Sequence, residues 1–280
     1  MGYDTFTKCF FSCAARITEY GSEVWGFTTH PKLETVQQKA MRVFLGVHRF
    51  AANDFLYGDM GWYPTKTRLK LNLLRYWNRL CTLDDNRLTK KVFLLDLEQE
   101  GKWTKSVGKI LEELDMHNLF EERNVCIIDE CKISLQTKYM QNWRELVCKK
   151  PKLRSYVQWK LEFGPEPYVM FNLSRPLRSI LAQIRSGTLP LRIETGRFTG
   201  LAIDDRLCDF CNGDQVESET HFLLKCDWYQ GERYIFFDNV VIEKNMSDAD
   251  TIKHLFYFHP RQLARFCQNI FMIRKNELYN

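Results

Sequence analysis

Between positions 208 and 226 the chain sets Cys208, Cys211, His221 and Cys226 in the order C-x2-C-x9-H-x4-C. Four soft or borderline donors inside nineteen positions constrain the local fold more than any apolar run in the chain, because their spacing is that of a metal site. Two cysteines separated by two residues in a tight turn can face one ion, and a His and a Cys five apart can close the tetrahedron from the next element. The set predicts a zinc ion, and with all four positions filled by protein no place remains for water or substrate, so the zinc is expected to be structural. Asn212, Gly213 and Asp214 supply the turn between the ligand pairs, and Glu217 and Glu219 lie close enough to accept from the free imidazole nitrogen of His221. Two other readings compete. One is four unrelated buried residues; the other is a redox Cys-x-x-Cys, which leaves His221 and Cys226 unexplained and lacks the strand–helix context of a thioredoxin-like unit.

Around this cluster the periodicity is helical. Leu33, Val36, Ala40, Val43 and Val47 recur at steps of three and four on a helix that Gly46 can end. Pro64 suits the first turn of the next helix, striped by Leu69, Leu73, Tyr76 and Leu80. The same period runs through Thr104 to Met116 and through Ile127 to Lys149, the latter carrying Leu135, Tyr139, Trp143 and Leu146. Gly164, Pro165 and Pro167 forbid continuous helix from Phe163 to Pro167 and predict a boundary there. Ser174 then caps a helix with Leu177, Ile180, Leu181 and Ile184 inward and Arg178 and Arg185 outward, closed by Gly187. Asp227 to Val240 and Pro260 to Leu278 read as helices. The expected fold is therefore mainly α: a helical body over 1–163, a basic linker and helix over 164–206, the metal module over 207–230, and C-terminal helices over 231–280.

Composition excludes several classes. A chain of 280 residues with 45% hydrophobic and 27% charged side chains is globular rather than disordered, and no stretch approaches the roughly 18 apolar residues of a membrane span. Cys9 to Ala15, the longest apolar tract, lies between Lys8 and Arg16 and has acidic Asp4 ahead of it, unlike a secretion signal. Ten cysteines are too few for a disulfide scaffold, and Cys81, Cys126, Cys148 and Cys267 read as buried thiols of an intracellular protein, in cytoplasm or nucleus.

Net charge is only +5, but it is unevenly spread. Lys32 to Leu80 holds nine Lys/Arg against three Asp/Glu, and Arg144 to Arg206 twelve against six, net +6 in each. In the second segment Lys149, Lys150, Lys152 and Arg154 stand beside Tyr156 and Trp159, and Arg178, Arg185, Arg192, Arg197 and Arg206 lead into the metal cluster. Cations interleaved with aromatics can neutralise phosphates and stack bases, which makes these nine residues candidate contacts for RNA or DNA without sequence preference. A solvated basic face is the alternative. The Cys208–Cys226 stretch is itself acidic, with Asp209, Asp214, Glu217 and Glu219 against Lys225.

The run Leu189-Pro-Leu-Arg-Ile-Glu-Thr-Gly-Arg-Phe198, with Asp205-Arg-Leu-Cys208-Asp-Phe-Cys211, Glu219-Thr-His221-Phe-Leu and Cys226-Asp-Trp-Tyr229, resembles the carboxy-terminal region of LINE-type (non-long-terminal-repeat) retrotransposon reverse transcriptases. Tyr20-Gly-Ser-Glu-Val-Trp-Gly26, Lys39-Ala-Met-Arg-Val-Phe-Leu-Gly-Val47 and Tyr57-Gly-Asp-Met-Gly-Trp-Tyr-Pro64 look like the segment that follows the polymerase palm in those proteins. The resemblance implies a zinc-knuckle region that handles template RNA and target DNA inside a retroelement ribonucleoprotein. The palm carboxylates that hold two metal ions are not encoded in this chain. Asp84-Asp85 and Asp204-Asp205 read as cap or turn residues rather than a catalytic hairpin, and no endonuclease constellation is visible. The expectation is thus a reverse-transcriptase-like protein without polymerase or nuclease activity. The alternative is a structural or protein-interaction module, or a decayed element fragment with no cellular task.

Overall fold

The computed structural model of the chain describes residues 1–28, 30–211, 213–243 and 245–279. Seventeen α-helices, with a few short π and 3-10 turns, dominate the described residues; extended pairing among them is confined to two isolated bridges, Met60 with Pro165 and Leu207 with Val216. No helix among these residues is long and apolar enough to cross a membrane.

Two compact units form, and they cut across the four expected linear segments. One contains Met1–Thr7, Gln38–Trp62 and Arg144–Asn280; the other contains Lys8–Gln37 and Tyr63–Trp143. Three of the four limits fall inside helices and the fourth, between Trp62 and Tyr63, in the connection before the Thr65–Thr82 helix, whereas the Pro-rich break from Phe163 to Pro167 lies wholly within the first unit.

The smaller unit is built on the Thr65–Thr82 helix, for which Pro64 is the extended N-cap residue and not, as expected, part of the first turn. Leu73, Leu74, Trp77 and Leu80 enter a core shared with Val107, Ile110 and Leu111 of the Lys102–Glu113 helix. Trp77 stacks on Phe120 at 5.3 Å and donates its indole N–H to the Asn124 carbonyl at 2.9 Å. Lys90 donates to the carbonyls of Leu80 and Cys81, which a helix C-terminus otherwise leaves unsatisfied.

In the larger unit the Arg175–Arg185 helix packs on the Pro260–Tyr279 helix. Here the expected outward arginines turn inward. Arg185, 1% exposed, donates from Nε and Nη2 to Asp59 at 2.9 and 3.0 Å and lies 3.1 Å from Glu166. Tyr168 gives a further hydrogen bond to Asp59 at 2.8 Å. Arg178 donates to the Phe44 carbonyl at 2.7 Å and covers the Phe44 ring at 3.9 Å. Amphipathic spacing explains Ile180, Leu181 and Ile184 on the inner face, but it cannot see Asp59, an acid 126 residues away that pulls a guanidinium in. Ser174 occupies the N-cap position without a side-chain hydrogen bond, and Gly187 ends the helix at φ +60°.

The Pro31–Leu45 helix ends at Gly46 with φ +71°, but its buried face is Gln37, Met41, Phe44 and Leu45, one position round from the Val36 and Val43 stripe, both of which are exposed. The larger Met and Phe side chains remove more apolar area from water than valines would. The Asp248–Phe258 helix, capped by Ser247 accepting from the Asp250 N–H, is an addition to the expected order.

Candidate metal centre and the basic groove of the larger unit

The metal module starts as a short hairpin. Cys208 N–H donates to the Gln215 carbonyl at 2.9 Å and Glu217 N–H to the Arg206 carbonyl at 3.0 Å, which folds Cys208 and Cys211 back toward the following turn. Asp214 sits at φ +43°, a left-handed conformation that Asp tolerates; Asn212 of the expected turn lies outside the described residues. His221–Lys225 then forms a π turn, closed by Cys226 N–H on the His221 carbonyl at 2.8 Å. A turn bonded from i to i+5 brings residues five apart toward one side, where an α-helix would separate them.

The four donors converge. One ligand atom from each of Cys208, Cys211, His221 and Cys226 lies within 4.8 Å of every other, so the cluster can hold a metal ion. Cys208 Sγ is 3.8 Å from Cys226 Sγ, and Cys211 Sγ is 3.4 Å from His221 Nε2. The hydrogen bond with Cys226 lowers the pKa of the Cys208 thiol, while the same contact raises that of Cys226. A lowered thiol pKa favours the thiolate, the form that binds metal. Phe222 and Tyr229, both buried, close a small core under the site at a ring distance of 5.4 Å.

The partner of His221 is not a glutamate. Nδ1 faces Gln215 Oε1 at 3.2 Å, an interaction that orients the ring with Nε2 toward the sulfurs. Glu217 and Glu219 have other roles. Glu217 takes Arg274 at 2.8 and 2.9 Å and the Arg192 backbone N–H at 2.7 Å; Glu219 takes Arg154 at 2.6 Å and Ser155 at 2.8 Å. Sequence reasoning missed Gln215 and Arg274. Gln215 lies within six residues of His221 and its amide was a visible alternative to the acids; Arg274, 57 residues from Glu217, left no local sign.

The nine basic candidates divide. Arg178 and Arg185 are buried in the helix packing and cannot contact a nucleic acid, so that expectation is corrected for both. Tyr156 and Trp159 are buried as well and offer no ring to a base. Arg206 donates to the carbonyls of Leu201 and Ile193, and Arg192 lies 3.2 Å from Asp209. Lys149 projects from a helix end, 3.8 Å from Glu145. The rest meet. Lys150, Lys152 and Arg197 line a groove of about 390 Å³ with Glu194, between Phe50 and Phe198, which are 64% and 88% exposed. Glu194 is shared by Arg154 at 2.7 Å, Arg197 at 3.2 Å and Lys152 at 4.0 Å, while Lys150 pairs with Asp54. Burial lowers the pKa of Lys152, and Arg197 and Arg154 lower it further against the opposing pull of Glu194.

Asp84 accepts the Asn86 N–H at 2.8 Å in an exposed turn, and Asp204 and Asp205 sit in an exposed 3-10 turn. No protein-family model, curated protein or solved structure matches the chain.

Proposed function

We propose that the chain is a non-catalytic, zinc-stabilised module of retroelement reverse-transcriptase type that binds single-stranded RNA or DNA without sequence preference. The observation that carries the reading is the Phe50–Phe198 groove, where Lys150, Lys152 and Arg197 stand between two exposed rings and the one lining carboxylate, Glu194, is shared by Lys152, Arg197 and Arg154. Phosphates satisfy the surplus cations, and sequence-tolerant stacking needs accessible aromatic faces. Zinc suits the neighbouring cluster on donor spacing. A tetrahedral ion with bonds of about 2.3 Å to sulfur and about 2.0 Å to nitrogen sets two sulfurs about 3.8 Å apart and sulfur and nitrogen about 3.5 Å apart; the corresponding pairs stand at 3.8 and 3.4 Å. Four protein donors leave the ion no substrate position, so its contribution is to hold the Arg206–Tyr229 loop that carries Glu217 and Glu219. A cysteine-rich metal centre and ten free cysteines fit a reducing intracellular compartment, and a retroelement ribonucleoprotein is the setting that the sequence resemblance implies.

The test is salt-dependent binding of a labelled single-stranded oligonucleotide. Lys152→Ala with Arg197→Ala should flatten the plot of log K against log salt by about 1.4, at about 0.7 for each phosphate that is no longer neutralised. Phe198→Ala should weaken binding by about 1–3 kcal/mol and leave the slope unchanged. Absence of binding at low salt overturns the reading.

A further inference from the structure

The Thr65–Thr82 helix carries a second array of cations that neither the metal centre nor the groove uses. Leu69, Leu73 and Leu80 face inward, and Arg68, Asn72, Arg75 and Arg79 recur at steps of four, three and four on another face. With Arg16 and Lys132 they line a cleft of about 750 Å³, with Tyr20, 86% exposed, also in its wall. Arg68 is already occupied: it lies 2.6 Å from Glu19 and 4.9 Å from the Phe11 ring centroid. The others differ. Arg75 reaches Asn72 Oδ1 at 2.9 Å, and among the described residues Arg16, Arg75, Arg79 and Lys132 make no ion pair. Five cations in the lining stand against Glu19 and Glu23. Arg75 and Arg79, four apart, repel along their helix, so an anion in the cleft relieves a repulsion that the chain leaves standing.

We infer that this cleft is a second binding site for a single strand of nucleic acid, independent of the Phe50–Phe198 groove, so that one chain holds two strands. The inference rests on the nucleic-acid reading above. Arg75 and Arg79 are about 6 Å apart along the helix axis, comparable to successive phosphates on an extended strand. A guanidinium fork takes a phosphate through two hydrogen bonds, and the free Tyr20 ring offers a base a stacking surface. Two unpaired guanidiniums beside an accessible aromatic favour a strand over an acidic peptide, which has no bases to stack.

The experiment is calorimetric titration of the full chain with a six-nucleotide single strand at low salt. The expected stoichiometry is two strands per chain. Arg75→Ala with Arg79→Ala should reduce it to one, the corresponding double lysine variant should keep two, and Lys152→Ala with Phe198→Ala should remove the other site. Circular dichroism reports whether the exposed Arg75 and Arg79 changes leave the helices intact. One strand per chain, abolished by the groove changes and untouched by Arg75→Ala with Arg79→Ala, overturns the cleft and leaves the groove standing. No binding in any form overturns the nucleic-acid reading itself. A short polyglutamate peptide that binds the cleft when the oligonucleotide does not overturns the choice of a strand as occupant.

Discussion

Arg274, on the Pro260–Tyr279 helix, grips Glu217 of the metal loop with two nitrogens, at 2.8 Å to Oε1 and 2.9 Å to Oε2. Arg154 does the same service for Glu219 at 2.6 Å, and Arg192 lies 3.2 Å from Asp209. The acidity of the Cys208–Cys226 stretch is thus largely answered within the larger unit. Its carboxylates are anchors of the metal loop, and its charge does not set that loop against nucleic acid.

Removing one end of the Glu217 pair should be costly, since both side chains are almost fully buried. Arg274→Met strands an uncompensated carboxylate and should lower stability by about 3–5 kcal/mol in urea unfolding; Arg274→Met with Glu217→Leu should recover most of that loss. A single-variant cost near zero contradicts the anchoring role.

Gln215→Leu removes the acceptor facing His221 Nδ1. Metal affinity in a chelator competition should fall by about 10–100-fold, with the helical circular dichroism of the loaded protein unchanged. An unchanged affinity means that some other group orients the ring.

Lys152 gives the groove a pH signature. Burial, with Arg197 and Arg154 beside it, lowers its pKa, and a phosphate in the groove raises it again. Binding therefore takes up a proton, and affinity should decline with rising pH from below the ordinary lysine value of about 10.4. Lys152→Ala should remove that part of the decline. Superimposable pH profiles for the two proteins contradict the placement of a phosphate at Lys152.

Gly187 occupies a left-handed backbone position, and a Cβ there would stand 2.4 Å from the Lys152 carbonyl oxygen. Gly187→Ala should destabilise the protein by about 1–3 kcal/mol from the backbone conformation alone, and by more from the clash. It should also weaken groove binding, because Lys152 must shift.

The four candidate ligands were legible because C-x2-C-x9-H-x4-C is local: four donors within nineteen residues meet through one hairpin and one turn. Helices announced by period and punctuation, such as Thr65–Thr82 after Pro64 and Arg175–Arg185 before Gly187, were equally readable. Arginine destinations were not. Nothing near Arg185 in sequence points to Asp59, and nothing near Glu217 points to Arg274, because a buried ion pair is decided by tertiary contact between distant segments. The +6 of Lys32 to Leu80 was visible as a sum, yet the cleft it helps to line also needs Arg16 and Lys132, which lie outside that stretch.

The most direct test of the metal-centred account is X-ray absorption at the zinc edge on purified protein, together with its metal content. One zinc per chain, with three sulfurs at about 2.3 Å, one nitrogen at about 2.0 Å and no oxygen ligand, is the predicted result, with the metal absent from the Cys211→Ser protein. Zinc content near zero, a bound water in the spectrum, or full occupancy in the Cys211→Ser protein would contradict it.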